Sequence, residues 1–331
     1  MDKLRKILLP CLTFLFCFIS ADLGRAENHA DAGTPVSLIL QWKHQSQFAG
    51  YYMALEKGLY SGRGLDVTIV QGGPDRDPLE YLRTGRADFA MLWLVSAIEA
   101  AAQGVSLKNI AQVVNRSNLI LMAWKDSGVK SVEDLDGRRV GLWEGQFRPP
   151  FIAFFRMQGI EPVVIQQNYS INLFLRHGVD ACAAMDYNEY NMLYQAGVDL
   201  DELAVFPLAS DNMPFPEDGI YCMSVMFREN PELCDAMAKA SMEGWKYAAK
   251  YPEETLDVVM MYVSEANVPA NRAHMRWMLE TILSSIFPGR DGGWDPGRLS
   301  VDDYSKTARM MLGYGMITNL PSFNEFTVKE F

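Results

Sequence analysis

The chain has 331 residues, 49% of them hydrophobic, with 41 acidic against 30 basic side chains and a formal net charge of −11. That length supplies two domains or one domain with two lobes. The acidic balance excludes nucleic acid and an anionic membrane surface as expected partners.

In chain order, the first segment reads as a cleaved export signal. Lys3, Arg5 and Lys6 precede the apolar run from Ile7 to Ala21, and Gly24-Arg25-Ala26 puts small residues where a signal peptidase reads. Pro10 and the short run argue against a retained anchor. Phe14-Leu15-Phe16 before Cys17 lacks the small residue that precedes a lipoprotein cysteine. Removing residues 1–26 takes away four basic groups (Lys3, Arg5, Lys6, Arg25) and two acidic ones (Asp2, Asp22), so the charge moves from −11 to −13. The expectation is a soluble periplasmic protein, and no later stretch is apolar enough to span a bilayer. Cys182, Cys222 and Cys234 survive processing with no metal or redox spacing. Buried free thiols are expected, with a Cys222–Cys234 disulfide as the alternative.

A strand at Val36–Leu40 opens into the polar turn Gln41–Gln47 and a helix that ends at Lys57-Gly58. Strands are then expected at Leu65–Gln71, Asp88–Trp93 and Asn109–Asn115, separated by helices at Pro78–Thr84 and Ser96–Gln103. The apolar run Leu119–Trp124 ends in the break Lys125–Gly128, after which the rhythm restarts. Strands at Arg139–Trp143, Val163–Gln167, Asp180–Met185 and Leu203–Leu208 alternate with helices at Ser131–Leu135, Pro149–Gln158, Ser170–His177 and Asn188–Gln195. A proline-bearing loop, Asp211–Asp218, leads to a strand at Ile220–Phe227, and the rest is helical apart from the glycine-rich Gly289–Gly297. This alternation predicts βαβ units: an α/β fold of two lobes, each a mostly parallel sheet flanked by helices.

The chain carries no nucleophile elbow, P-loop or dinucleotide fingerprint, and its four histidines have no zinc spacing. Binding rather than catalysis is therefore expected, with no cofactor and no metal. Aromatic and amide groups sit instead at strand ends: Trp42 and Gln47 after the first strand, Trp93 at the end of the third, Trp143 at the end of Arg139–Trp143 with Gln146 after it, and Tyr187-Asn188-Glu189 after Asp180–Met185. Carboxyl ends of parallel strands share one rim, so these residues are expected to converge on a cleft that sandwiches a planar ligand. The loop Gly141–Arg148 is a second candidate, in which a helix N-terminus and Arg148 would hold a carboxylate or phosphate.

Four stretches, QWKHQSQFAGYYMALEKGLYSGRGLDVTIVQGG, TGRADFAMLW, SVEDLDGRRVGLWEGQF and MDYNEYNML, together resemble the ABC-transporter periplasmic substrate-binding proteins that include fungal thiamine-pyrimidine synthase. The resemblance spans roughly residues 35 to 260. It implies the type II periplasmic-binding-protein fold, with crossings near Trp124–Lys125 and Ser210–Ile220. Lobe one would then be 34–124 plus 220–331, and lobe two 125–219. It also implies a monomer that binds a thiamine-precursor aminopyrimidine and delivers it to an inner-membrane ABC permease. The synthase branch uses a lysine that holds pyridoxal phosphate, a histidine and a cysteine-rich run; motif alignment puts Trp93 at the lysine, Ala97 near the histidine and Cys222 alone in the run. Those departures point away from the enzyme. A sensor input protein and a binder of sulfonate or nitrate anions are the other readings the resemblance leaves.

Overall fold

The computed structural model describes residues 33–210, 215–288 and 296–328. The expected export signal, residues 211–214 of the proline loop and 289–295 of the glycine-rich stretch lie outside the described residues. The strands are β1 (Thr34–Ile39), β2 (Leu65–Val70), β3 (Phe89–Trp93), β4 (Leu107–Gln112), β5 (Leu119–Trp124), β6 (Arg139–Leu142), β7 (Val163–Gln166), β8 (Ala181–Met185), β9 (Leu203–Pro207) and β10 (Asp218–Met223). Among the described residues they form two five-stranded sheets, ordered β2-β1-β3-β10-β4 and β7-β6-β8-β5-β9.

The two orders are the same pattern twice. In the first sheet β1 is parallel to β2 and β3, while β10 runs against β3 and β4. In the second, β6 is parallel to β7 and β8, while β5 runs against β8 and β9. Four strands of each sheet therefore run one way. The opposed fifth is the strand on which the chain arrives from the other sheet, so the expected mostly parallel sheets are present with one reversed strand each.

Two expectations shift. Leu119–Trp124, assigned to the first lobe, is β5 and sits between β8 and β9 in the second sheet. All six of its residues are buried, as a strand paired on both edges requires. The polar break after it is only the turn that follows a central strand, and the first crossing lies between Gln112 and Leu119. The apolar run expected as a strand over Ile220–Phe227 splits into β10 and a helix, Ser224–Glu229. Met223 pairs with Leu107, the first residue of β4, so no partner strand remains beyond it. An apolar run carries no periodicity that distinguishes the two states.

One large core joins the first sheet, the C-terminal helices and the near face of the second sheet; a smaller one, with Ile120, Met122, Trp124, Phe174 and Leu193, fills the far face. The helix Ala49–Glu56, which follows the Gln41–Gln47 turn, is clamped against the helix Pro231–Lys250 by interleaved small residues. A Cβ on Gly244 would lie 2.0 Å from the Gly50 carbonyl oxygen and 2.7 Å from the Ala54 Cβ. Gly244→Ala is therefore expected to cost about 3 kcal/mol in a urea melt, the upper range for overpacking. Gly313→Ala, at a helix end with nothing within 4 Å, should change stability by less than about 1 kcal/mol.

Candidate ligand-binding cleft

Backbone groups leaving the carboxyl ends of strands need new partners, and the turns that provide them project side chains outward. β1 runs through Gln41 and Trp42 into a 3₁₀ turn, Ser46–Phe48, and β3 ends on Trp93 itself. β6 passes Trp143 and enters the turn Gly145–Phe147, for which Gly145 takes φ 62°. β7 is followed by Tyr169, and β8 runs into a π-helical turn, Asp186–Tyr190. Strand ends of both sheets meet at a single cavity of about 460 Å³ of empty volume, counting space open to solvent.

Its walls are aromatic. Phe147 sits at the centre, its ring centroid 5.6 Å from Trp42, 5.0 Å from Trp93 and 6.3 Å from Trp143, each edge to face. Tyr169 packs on Trp42 at 4.4 Å and 55°. Trp42 and Trp93 come from the first sheet, Trp143, Phe147 and Tyr169 from the second. Edge-to-face pairs of this kind contribute about 0.5–1.5 kcal/mol each beyond area burial.

Its polar groups are mostly amides, Gln41, Gln45, Gln47 and Asn188, with one acid, Glu189. Glu189 is 6% exposed and accepts from the Met185 N–H at 2.9 Å and the Asn188 amide at 2.8 Å; burial pushes its carboxyl up to about 7. The Asn188 amide oxygen faces the His274 imidazole at 2.9 Å. His274 is carried by the helix Arg272–Ile286, which also joins Asn271 to Gln195, Trp277 to the Asp186 carbonyl and Ser285 to Asn118. The same helix accepts from Ser46 Oγ at the Met275 carbonyl, so it ties the β1 turn to the turns of the second sheet.

Behind the cavity lie two further buried acids on adjacent residues. Burial pushes Asp218 up to about 6, and burial together with Asp218 pushes Glu217 up to about 8. Glu217 accepts from Ser117 Oγ and the Asn118 backbone N–H, both at 2.6 Å, and from the Asn118 amide at 3.2 Å. It thereby joins the two stretches of chain that cross between the sheets.

Trp42, Gln47, Trp93, Trp143, Tyr187, Asn188 and Glu189, all expected at the cleft, line this cavity together. Gln146 falls in the Gly145–Phe147 turn, with its side chain outside the described residues. Gln41, Gln45, Phe147, Tyr169 and Met185 also line it. Tyr169 follows β7 as Trp143 follows β6, so the strand-end rule that found the others applies to it as well. Gln41 precedes Trp42 directly; both ends of its amide are buried without a partner.

The second candidate loop looks different in three dimensions. Gly141 gives room not to a ligand but to the Gln167 side chain, whose amide oxygen lies 2.6 Å from where a Cβ would stand. The helix after the loop begins Pro149-Pro150, which have no N–H, and the N–H groups of Phe151 and Ile152 bond the Arg148 carbonyl. Arg148 does not line the cavity. An anion at this helix N-terminus would find the first-turn donors absent or occupied.

His44 likewise is an internal packing group: it is 8% exposed, 2.8 Å from the Tyr52 hydroxyl and tilted against the Tyr262 ring at 5.6 Å. Cys222 and Cys234 are buried free thiols with their sulfurs 3.9 Å apart, and Cys182 is buried on β8. Among the described residues no cluster of His, Cys, Asp or Glu is placed to hold a metal ion, and no helix is long and apolar enough to cross a membrane.

The chain is 25% identical over 243 residues to the riboflavin-binding protein RibY of Chloroflexus aurantiacus, covering 70% of this chain and 68% of that one. It is 24% identical to the formylaminopyrimidine-binding protein of Halalkalibacterium halodurans, covering 80% and 81%. It is 22% identical to a 4-amino-5-hydroxymethyl-2-methylpyrimidine phosphate synthase of Legionella pneumophila, covering 71% and 75%. In three dimensions it shares the fold of the periplasmic aliphatic sulphonate binding protein SsuA of Escherichia coli, with a TM-score of 0.64 at 15% identity over 87% of this chain and 94% of that one. The NMT1/THI5-like family model matches residues 45–255, well over half of the sequence, and the chain belongs to that family.

Proposed function

We propose that this protein is an exported solute-binding protein whose two lobes close over a small, planar, nitrogen-containing heterocycle, a thiamine-precursor aminopyrimidine or a close relative. The lobes correspond to the two sheets, with crossings at 113–118 and 208–217, and a monomer would present the closed form to an inner-membrane ABC permease. The observation that carries this reading is the aromatic cavity whose one ionisable carboxyl, Glu189, has its pKa pushed up to about 7, with no lysine or arginine among the lining residues. Aromatic faces take a flat ring, and a carboxyl that titrates near neutrality can accept from an amino group or donate to a ring nitrogen. Closure follows because contacts from both sheets exist only when they face one another, and only that differential affinity shifts the population.

The same inventory disfavours the anion binders, since the one charged type in the wall is the carboxyl of Glu189, with Glu217 and Asp218 buried behind it, and no lysine or arginine lines the cavity. It also disfavours a synthase that holds pyridoxal phosphate on a lysine: no lysine lines the cavity, and Trp93 fills the wall at the position the family motif gives that lysine. The residues present do not fit that cofactor.

The test is purification without ligand exchange followed by mass spectrometry, together with thermal-shift titration of aminopyrimidines, thiamine, flavins, alkanesulfonates and nitrate. Stabilisation by an aminopyrimidine or flavin is expected; stabilisation by sulfonate or nitrate alone would sink the proposal. For Glu189→Gln, a Kd about tenfold weaker is expected by titration calorimetry, the loss of one charge-assisted bond at about 1.4 kcal/mol. An unchanged Kd with a lowered melting temperature would instead make Glu189 a group that only holds the Met185–Asn188 turn.

A further inference from the structure

We propose that Asp218, which does not itself line the cavity, is a positioning residue that fixes the direction of a chain of amides and so makes the β1 turn present a hydrogen-bond acceptor to the ligand. This rests on the heterocycle-binding reading above and adds which edge of the ring the site selects.

The chain has three members. Gln47 donates its amide nitrogen to Asp218 Oδ2 at 2.9 Å, and Gln45 donates its amide nitrogen to Gln47 Oε1 at 2.7 Å. Gln45 and Gln47 line the cavity, while Asp218 is 1% exposed at the start of β10, opposite Trp93 in the register. An amide has two chemically different ends, and which end points where is decided by its neighbours. A carboxylate decides it absolutely, because it only accepts. Facing Asp218, Gln47 must turn its NH2 inward and its carbonyl toward Gln45. Gln45 then keeps its amide nitrogen against Gln47, with one N–H given to it, so the far end of the chain, beside the cleft, is the Gln45 carbonyl. Burial pushes Asp218 up to about 6 and the bond from Gln47 holds it down, which leaves it ionised at pH 7.5.

Replacing the carboxylate by an amide of the same shape removes this constraint. With Asp218→Asn, residue 218 can donate as well as accept, the chain can run in reverse, and Gln45 can then offer its NH2 to the cleft. A ring bearing an amino group at that edge loses its complementary acceptor; the same ring with an oxo group there gains a donor.

The experiment compares a 4-aminopyrimidine with the 4-oxopyrimidine of otherwise identical substitution, by titration calorimetry at pH 7.5. The wild-type protein should prefer the amino compound at least tenfold, and Asp218→Asn should cut that preference at least fivefold. Adding Gln45→Glu to Asp218→Asn puts an accept-only group back at the cleft end and should restore it. A role of Asp218 in stability alone would weaken both compounds equally and leave the ratio unchanged, which overturns the proposal. If Asp218→Asn does not fold, Gln45→Met removes the terminal acceptor while leaving Asp218 and Gln47 in place, and retention of the amino preference there also overturns it. If wild-type protein binds neither pyrimidine, the functional reading fails and the amide chain is judged by NMR of the empty protein. Asp218→Asn must then move the side-chain amide resonances of both Gln47 and Gln45; movement of Gln47 alone overturns the relay.

Discussion

Raising the pH from 6.5 to 8.5 is expected to lower the stability of the empty protein by about 2 kcal/mol, a fall of roughly 4 °C in melting temperature, and Glu217→Gln is expected to remove most of that fall. The cause is a carboxyl group that folding keeps protonated. Glu217 is 1% exposed, and its pKa is pushed from the ordinary range up to about 8. A raised pKa means that the folded state holds a proton the unfolded chain has already released, so stability is fully present below the unfolded value of 4.5 and is lost as pH rises through 8. Each pH unit in that window costs about 1.4 kcal/mol. Glu189, raised to about 7, adds to the lower part of the window.

His44 and His274 are held down by burial and act in the opposite direction, but both are largely neutral in either state above pH 6.5. Gln at position 217 keeps an acceptor for the crossing segment without the titration. Glu217→Leu would leave the Ser117 and Asn118 donors without an acceptor and cost about 3 kcal/mol at any pH. Thermal melts of the three proteins across pH decide the matter: a wild-type melting temperature that is flat or rising from pH 6.5 to 8.5 would contradict it.

The second large effect concerns Trp42. Trp42→Ala should raise the ligand Kd by about 30- to 100-fold, or about 2–3 kcal/mol, while changing the apo melting temperature little. Trp42 is half-buried, unlike Trp93 and Trp143, which are 3% and 4% exposed. Its aromatic neighbours, Phe147 and Tyr169, belong to the opposite sheet. These ring contacts from the opposite sheet are available only when the two sheets face one another, which is the state that ligand would favour under the proposed closure. Calorimetry and a melt on the same sample separate the cases, since a Trp that merely packs would lose stability first and affinity only with it.

Much of this fold was legible in the sequence, and the reason is periodicity. The alternation of short apolar runs with amphipathic stretches predicts βαβ units, and the strand-end rule alone gathers Trp42, Trp93, Trp143 and Tyr187. What stayed illegible is set by pairing over distance. Leu119–Trp124 has the same apolar pattern in either sheet, and only its hydrogen bonds to Met185 and Pro207 neighbours assign it to the second. The strand after Ile220 stops where β4 begins, at Leu107, a fact held by residues more than a hundred positions earlier. In the sequence Glu217-Asp218 is only the end of a proline-bearing loop; its burial is set by bonds from Ser117, Asn118 and Gln47, all distant in the chain.

The reversed strands have a consequence for how the molecule is made. Everything the second sheet needs lies in one stretch, from Leu119 to Pro207, whereas the first sheet leaves a gap between β3 and β4 that only Asp218–Met223 can fill. A chain growing or emerging from its N-terminus therefore carries two unpaired strand edges until roughly two thirds of it has appeared, and contacts so distant in sequence close late. Amides of residues 119–207 should accordingly gain protection ahead of those of 34–112 when refolding is followed by pulsed hydrogen exchange. The turn that bears Trp42 comes early in the sequence but would be among the last parts to be held in place.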